Sequence, residues 1–418
     1  GVNDGPVAQD DDFAVQESAS VSGDIFADNG NGVDNDVDDT DSFSITAVDG
    51  NAGDVGASVA GSAGGLFTIN SDGTFDFDPN GEFEYLSQNQ TVDTTVQYTI
   101  TDNSGATSTA TVTVTLTGEN DSFTGNDDAV SVNENVTLNL HGTLLSNDVD
   151  IDTNDVLNII AVDTSGTNGT VAFNDGANTL TYTASNFEEL AVGQTATDTL
   201  IYTVTDGYGV TQDVTVTFTV TGVNDDPVAQ DDDGTVDEDN TFSANVFADN
   251  GNGVDNDIDT GDTFVVSAVS GGSVGSAAAG SDGGLFTINS NGALTFDPNG
   301  DFEYLAVGES QDTTITYTIN DGNGGTDTAT VTITVTGVND DPVGNADGVA
   351  IDENEITANL HTTLLSNDTD VDVSDVLNII AVDTSATTGF VTFNDDANIL
   401  LYSASGFDHL GEGVTATD

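Results

Sequence analysis

The sequence predicts an all-β protein built as a series of β-sandwich modules, and three observations lead to that prediction. Apolar residues alternate with threonine in runs such as Val112, Val114 and Leu116, which is the pattern of a half-buried strand. Asp/Asn-Gly turns, as at residues 205–209, join neighbouring runs of this kind and indicate hairpins. No convincing helical period occurs, so many short strands separated by such turns favour sandwiches in a row.

The elements recur in an A-B-A′-B′ order. The run Phe26–Asp36 recurs as Phe247–Asp257, and Leu157–Ser165 recurs as Leu377–Ser385. An Asn-Asp pair stands at the start of each repeat, at Asn3, Asn120, Asn224 and Asn339. We therefore predict four modules, named below by these ranges: module A, 1–118; module B, 119–222; module A′, 223–337; and module B′, 338–418.

Module B′ is expected to lack its last two strands. Thr417 aligns with Thr197, so B′ stops before the hairpin that B completes between Thr199 and Thr221. Two explanations stay open. A longer parent chain continues beyond Asp418, which we favour, or another chain donates the strands by β-augmentation.

Charge excludes several classes of function. The chain has 418 residues, 74 Asp and Glu, no Lys or Arg, and a formal charge of −74. Nucleic acid is therefore excluded as a partner, and anionic membranes are disfavoured, since both require basic side chains. The absence of Cys excludes disulfides and thiolate metal sites, and no apolar run is long enough to insert into a membrane. Leu, Ile, Val and Phe make up about a quarter of the chain, which is enough for a core.

The acidic residues form recurring clusters near the module ends. Four groups share equivalent positions: the loops 34–41, 147–152, 255–259 and 367–372; the lone Glu17, Glu134, Glu238 and Glu353; the turn residues Asp102, Asp206 and Asp321; and the Asn-Asp linkers. Crowded carboxylates repel one another, and this chain has no basic side chain to relieve them. Ca²⁺ takes 6–8 oxygen ligands and suits such loops. The alternative is a solvated acidic surface, because Asp and Asn favour turns anyway.

Each module resembles the cadherin-like repeats of giant bacterial RTX-like adhesins and surface proteins. The resemblance rests on the early Glu, the Asn-Asp-x-Asp loop, the run Tyr202–Gly207, and the Val-Asn-Asp-x-Pro join at 223–227 and 338–342. Modules A and A′ are also similar to VCBS repeats through Gly65–Gly73 and Gly284–Gly292. The resemblance implies tandem Ig-like, cadherin-like sandwiches with calcium at the junctions.

Carried onto this chain, the resemblance assigns metal ligands to each junction. The A/B junction would use Glu17, Asp102, Asn120, Asp121, Asp148 and Asp150. The B/A′ junction would use Glu134, Asp206, Asn224, Asp225, Asp257 and Asp259, and the A′/B′ junction Glu238, Asp321, Asn339, Asp340, Asp368 and Asp370. Equivalent positions outside these sets are Asp36, Asp38 and Glu353. The A/B linker lacks the proline found at Pro6, Pro227 and Pro342, so that join is expected to bend differently or hold its metal less tightly.

The expected function is a calcium-rigidified extender, or stalk, in a secreted bacterial adhesin or surface fibre. Its expected partners are calcium ions and neighbouring modules, with other copies in a fibre as a further option. Every module carries the same carboxylates, which favours architecture over catalysis. Two alternatives stay open: a subunit of a self-assembling, calcium-dependent extracellular filament completed by strand donation, and a carbohydrate-binding array.

Overall fold

A computed structural model describes residues 2–38, 41–353 and 359–418. The chain forms two compact units, residues 1–222 and 223–418, and each is described by itself. Within the described residues, no helix has the length and apolar character needed to cross a membrane.

Module A is a sandwich of two four-stranded sheets. Its strands are β1 Asp11–Gln16, β2 Val21–Asp24, β3 Phe43–Val48, β4 Ser58–Ala60, β5 Leu66–Ile69, β6 Thr74–Asp78, β7 Thr91–Asp102 and β8 Thr107–Thr117. The sheets have the orders β1-β8-β7-β3 and β2-β6-β5-β4. Of the pairings between these eight strands, β1 with β8 is the parallel one. Both sheets turn apolar side chains into one core, with Phe67 and Phe75 from one sheet and Tyr98 and Val114 from the other.

Module B repeats the plan with a four-stranded and a three-stranded sheet. Its elements are β9 Asp128–Asn133, β10 Thr137–Asn139, α1 His141–Leu144, β11 Asn158–Asp163, β12 Thr170–Asn174, β13 Thr179–Thr183, β14 Thr195–Thr205 and β15 Thr211–Thr221. The sheet orders are β11-β14-β15-β9 and β10-β13-β12. Tyr182 and Phe218 stack across the core with their centroids 3.8 Å apart.

Module A′ repeats module A, and B′ follows it in the second unit. The strands of A′ are β16 Asp232–Asp237, β17 Phe242–Asn245, β18 Val265–Val269, β19 Ala278–Ala279, β20 Leu285–Ile288, β21 Ala293–Asp297, β22 Ser310–Asn320 and β23 Thr326–Thr336. Module B′ contains α2 His361–Leu364, β24 Phe390–Asn394 and β25 Ile399–Ser403. Single 3₁₀ turns lie at Ala52–Asp54, Asp175–Ala177, Asp395–Ala397 and Ser405–Phe407.

The alternating runs form strands for the reason that the sequence indicates. Val112, Val114 and Leu116 of β8 are fully buried, while the threonines between them point outward. The Asp/Asn-Gly turns join β7 to β8, β14 to β15 and β22 to β23. The predicted fold class is confirmed: the chain is all-β, with tandem sandwiches of paired sheets.

Candidate metal centres

The same framework of hydrogen bonds recurs at the start of the modules. In module B, the Asn120 side-chain amide donates to Asp206 Oδ2 at 3.0 Å, and the Asp121 backbone N–H donates to Asp152 Oδ2 at 2.8 Å. The Asp152 N–H in turn donates to Asp150 Oδ1 at 3.1 Å. The linker is thus tied both to the hairpin turn after β14 and to the acidic loop.

The other modules repeat these bonds in their own residues. In module A, Asn3 donates to Asp102 Oδ2 at 2.9 Å and the Asp4 N–H to Asp38 Oδ2 at 2.8 Å. In module A′, Asn224 donates to Asp321 Oδ2 at 2.8 Å and the Asp225 N–H to Asp259 Oδ2 at 2.9 Å. In module B′, the Asp340 N–H donates to Asp372 Oδ2 at 2.9 Å.

The lone glutamate of the preceding module reaches the same linker. Glu17 follows β1, is 1 % exposed, and accepts the Glu119 N–H on Oε1 at 2.7 Å. Glu238 follows β16, is 3 % exposed, and accepts the Val338 N–H at 2.7 Å. Each glutamate therefore leaves its second oxygen facing the joint.

That second oxygen, and others around it, are buried without a hydrogen-bond partner. At the A/B joint these atoms are Glu17 Oε2, Asn120 Oδ1, Asp121 Oδ2, Asp150 Oδ2 and Asp152 Oδ1. At the A′/B′ joint they are Glu238 Oε2, Asp340 Oδ2 and Asp372 Oδ1. A buried acceptor left unpaired is costly. All of these atoms are oxygens, the ligand that Ca²⁺ requires.

Two of the clusters bring three carboxylates together. Oxygens of Glu238, Asp340 and Asp372 lie within 4.8 Å of one another at the A′/B′ joint. Oxygens of Asp36, Asp41 and Asp102 do the same at the start of module A. Separations of this size allow one cation to contact all three, so the residues present fit a hard divalent ion.

The carboxylates of the A/B joint are strained electrostatically. Burial raises the pKa of Glu17 to about 7, against the hydrogen bond from Glu119, and the neighbouring Asp121, Glu84 and Asp152 raise it further. Burial likewise raises the pKa of Asp150 and of Asp152. Asp206 differs: burial acts to raise its pKa, but the hydrogen bonds from Asn120 and the turn backbone lower it overall. A divalent ion would remove this repulsion.

Many of the predicted residues take part in this framework. Glu17, Asn120, Asp121 and Asp150 lie at the A/B joint, together with Asp206, which was assigned to the next junction. Glu238, Asn339, Asp340 and Asp370 lie at the A′/B′ joint. The hairpin aspartates Asp102 and Asp321 bind the Asn that opens their own module, so they lie one junction earlier than the sequence assignment placed them.

The remaining predicted residues make their contacts within their own unit. Asp36, Asp38, Asn224, Asp225, Asp257 and Asp259 belong to the framework at the start of modules A and A′. Glu134 follows β9, is buried, and donates its backbone N–H to Thr221 O. Glu353 is half-buried in B′.

Asp148 and Asp368 lie apart from the linker. They accept the N–H groups of Asn126 and Asn345 at 2.8 and 2.6 Å, as Asp34 accepts that of Gln9 in module A. The reason is a register shift of two residues. Single bridges pair Val7 with Asn35, Thr124 with Val149, and Val343 with Thr369, so Asp36 corresponds to Asp150 and Asp370.

The ligand assignment therefore left out Asp152 and Asp372, which hold the linker N–H groups, although both lie in the acidic loops named from the sequence. It also left out Asp41, which lies in the first of those loops, and Asp155 at the A/B joint. An Asp-apolar-Asp spacing is shared by Asp36–Asp38, Asp150–Asp152, Asp257–Asp259 and Asp370–Asp372, but Asp148–Asp150 repeats it two residues earlier, so this spacing alone does not fix the register in module B. The misleading signal was the Asn-Asp pair, which occurs at 35–36 in A and two residues earlier, at 147–148, in B.

The structure thus defines a class of protein: tandem β-sandwiches with carboxylate clusters at the joints inside each unit. Three stretches match the model of the bacterial cadherin-like domain, at residues 3–118, 120–222 and 224–337. The chain belongs to this family. Because the matches cover most of the chain, the predicted family is confirmed.

Solved structures with a similar fold are cadherin ectodomains. Domains 1–4 of protocadherin gamma B7 are 13 % identical over 94 % of this chain and 91 % of theirs, with a TM-score of 0.44. The human desmocollin-1 ectodomain is 16 % identical over 97 % and 73 %, with a TM-score of 0.31. Drosophila N-cadherin EC1-4 is 14 % identical over 81 % and 76 %, with a TM-score of 0.28. The chain matches no curated protein sequence.

Proposed function

We propose that this chain is a calcium-rigidified extender segment of a secreted bacterial adhesin or surface fibre. The observation that carries the proposal is the set of buried, unpartnered oxygens at the joints, contributed by both flanking modules and the linker. A cation bound there would fix the angle between neighbours because its ligands come from both sides of the joint.

The ligands at the A′/B′ joint would be Glu238 from A′, Asp340 from the linker and Asp372 from B′. At the A/B joint they would be Glu17, Asn120, Asp121, Asp150 and Asp152. Calcium supplies positive charge there, and the chain has no Lys or Arg to replace it. Asp206 and Asp321 hold the linker asparagines in position through their side-chain amides.

The charge of −74 also favours an extracellular setting, because the chain needs calcium to neutralise its joints. Calcium modules of extracellular proteins bind at roughly 10⁻⁴–10⁻³ M, a concentration that the cytosol does not reach. A rod made of such modules has a spacing role, and no module carries a carboxylate arrangement that sets it apart as a catalytic centre within the described residues.

The test is thermal unfolding and end-to-end length of the full chain in millimolar calcium and in excess chelator. Since metal binds only the folded state, calcium at 100 times its dissociation constant stabilises each site by about 2.7 kcal/mol. We expect a higher melting temperature and a longer, narrower distance distribution in calcium. Magnesium at the same concentration should act weakly, because it demands a stricter octahedron.

A matched pair of variants separates the joints from general charge screening. Glu238→Gln removes a buried joint carboxylate, whereas Asp76→Asn removes an exposed one on β6 that accepts a hydrogen bond from Ser22. Calcium should lose most of its effect on the A′/B′ joint in the first variant and none in the second. Equal melting temperatures and lengths with calcium and with chelator in the wild type would refute the mechanism.

A further inference from the structure

A buried pair of carboxyl groups lies inside module A, at the hydroxyl of Tyr98. Asp11 is the first residue of β1 and is 1 % exposed, and Asp34 in the acidic loop is 7 % exposed. Tyr98 on β7 is fully buried between them. None of the three contributes to the linker framework described above.

The Tyr98 hydroxyl has more hydrogen-bond acceptors around it than it has hydrogens to donate. Tyr98 Oη lies 3.0 Å from Asp11 Oδ2, 2.9 Å from Asp34 Oδ2 and 2.8 Å from the backbone oxygen of Gln9. All three neighbours are acceptors, and a phenol has a single hydrogen to donate. With both carboxyl groups ionised, two negative oxygens would share that hydrogen in a buried site, in a chain without a basic side chain.

The other oxygens of the pair are already satisfied. Asp11 Oδ1 accepts from the side-chain amide of Asn29 at 2.8 Å, and Asp34 Oδ1 accepts the Gln9 N–H at 2.7 Å. These bonds fix both carboxyl groups in place, so neither can turn its Oδ2 atom away from the phenol without breaking a bond. The shortage therefore belongs to the fold and not to a loose side chain.

We propose that Asp11 is a protonated carboxylic acid in the folded protein near neutral pH, and that this proton makes module A pH-sensitive. The Asp11 O–H donates to Tyr98 Oη, and the Tyr98 O–H donates to Asp34, which stays ionised. One proton is taken from solvent, and both contacts between Tyr98 and a carboxyl group then have a hydrogen between their oxygens.

Burial raises the pKa of both Asp11 and Asp34, and the rise is larger at Asp11, which agrees with this assignment. Burial raises the pKa of Asp11 to about 7, against the hydrogen bonds from Asn29 and Tyr98, while Asp34 and Asp10 raise it further. The ionisable groups facing Asp11 are thus Asp10, which directly precedes β1, Asp34 from the loop and Tyr98 from β7. Burial and both carboxylates raise the pKa of Tyr98, so the phenol keeps its proton.

The sign of the pH effect follows from the direction of the shift. The ordinary pKa of 3.8 applies to the unfolded chain, and the folded value is higher. The protonated Asp11 therefore stabilises module A fully below about pH 4, and this stabilisation is lost as the pH rises towards 7. Above pH 7 the group no longer changes the free energy of unfolding. A shift of about three units corresponds to at most about a thousandfold change in the unfolding equilibrium.

The site recurs in module A′ and differs in module B. Tyr317 Oη lies 3.0 Å from Asp255 Oδ2, and Asp232, the counterpart of Asp11, is buried beside the same hydroxyl. Burial raises the pKa of Asp232 to about 6. In module B, Tyr202 donates to Asp128, and no second carboxyl group among the described residues bonds its hydroxyl.

The experiment uses the full chain at one fixed, saturating calcium concentration between pH 4 and 9. Infrared difference spectra of wild type against Asp11→Asn should show the C=O band of one protonated carboxylic acid at pH 5.5, absent at pH 9. Tyrosines labelled with ¹³C at Cζ, assigned with Tyr98→Phe, should show Tyr98 shifting with a midpoint near pH 7.

Hydrogen exchange of peptides from residues 91–117, corrected for the intrinsic rate, reports the stability of module A in the same samples. The wild type should lose protection between pH 5 and 8, by tenfold or more. Asp11→Asn should not, because the amide N–H₂ donates to Tyr98 as the protonated acid would. The control is Asp12→Asn, an exposed carboxylate on the same strand, which should keep the wild-type profile.

Asp34→Asn provides a second variant, since loss of that charge should move the Tyr98 midpoint to lower pH by at least one unit. The proposal is overturned if wild type and Asp11→Asn have the same infrared spectrum and the same pH profile. It is also overturned if the Tyr98 signal responds to the calcium concentration and not to pH, because a cation would then hold the pair.

Discussion

The A/B joint and the A′/B′ joint have an equivalent glutamate, Asn-Asp pair and acidic loop, but differ in direct contacts. At A/B, Thr153 donates from its N–H and its hydroxyl to Tyr85 O, both at 3.1 Å. The Asn154 N–H donates to Ser87 Oγ at 3.1 Å and its side chain to Gln90 Oε1 at 2.8 Å. At A′/B′, the Val373 N–H donates to Tyr304 O at 3.2 Å, the one such bond between these two loops in the described residues.

Four substitutions account for the difference. Ala306, Glu309, Val373 and Ser374 occupy the positions of Ser87, Gln90, Thr153 and Asn154. The linkers also differ, because Phe123 stands where A′/B′ has Pro342. Phe123 is 5 % exposed and packs in the core of module B, while Pro342 is exposed. The A/B joint thus combines carboxylates with direct contacts, and A′/B′ relies on its carboxylates.

The largest expected effect is the loss of the linker anchor at A/B. Phe123→Ala should destabilise module B by about 3–5 kcal/mol, the usual result of removing a buried Phe. Pro342→Ala, at an exposed position, should stay within about 1 kcal/mol. Hydrogen exchange resolved by module measures both. If Phe123→Ala left module B unchanged, the linker would not be anchored by its core.

An exchange of the contact residues tests whether they make A/B independent of metal. Ser87→Ala, Gln90→Glu, Thr153→Val and Asn154→Ser together should remove three hydrogen bonds, at about 1 kcal/mol each. The reverse exchange at Ala306, Glu309, Val373 and Ser374 should add similar bonds to A′/B′. The chain has no Cys, so a pair of introduced cysteines across each joint carries the spin labels at known positions.

In chelator, the wild-type A/B distance distribution should be narrow and should broaden after the exchange. The A′/B′ distribution should be broad and should narrow in the reverse variant. In calcium, the distance distributions of both joints should be narrow in the wild type and in the variants. Identical distributions for the two wild-type joints in chelator would contradict the idea that the direct contacts matter.

Glu17 gives the A/B joint a pH dependence when metal is removed. Its pKa is about 7 in the folded chain against 4.5 ordinarily. Metal-free stability from this group is therefore complete below about pH 4.5 and falls as the pH approaches 7, by up to about 3 kcal/mol. Comparison with Glu17→Gln isolates this effect from that of Asp11.

At pH 8 in chelator, Glu17→Gln should be the more stable protein, because the neutral amide still accepts the Glu119 N–H. In calcium the order should reverse, since the variant loses a charged ligand. Thermal unfolding at pH 5 and pH 8 with each additive measures the four values. The same order in calcium and in chelator would show that Glu17 is not a ligand.

Sequence patterns predicted the strands, the hairpins and the general position of the acidic clusters, since each depends on local alternation or turn residues. They could not predict which strands pair with each other. The segments 157–165 and 377–385 are identical, yet the first contains β11, which pairs with β14, and no strand is assigned in the second. Ile160 is 38 % exposed and Ile380 77 %, so a partner strand decides the conformation.

Pairing also decided the register of the acidic loop, and the smallest prediction tests that register directly. Asp152 and Asp148 are four residues apart in one loop, both with a buried, unpartnered oxygen. Asp152 accepts the N–H of Asp121 in the linker, whereas Asp148 accepts the N–H of Asn126 within module B.

Asp152→Asn should weaken calcium binding at A/B by roughly tenfold, about 1.4 kcal/mol. Asp148→Asn, with the same change in charge, should alter it less than threefold. Titration calorimetry of the two variants decides between the registers, because a larger loss for Asp148→Asn would place the metal inside module B and not at the joint.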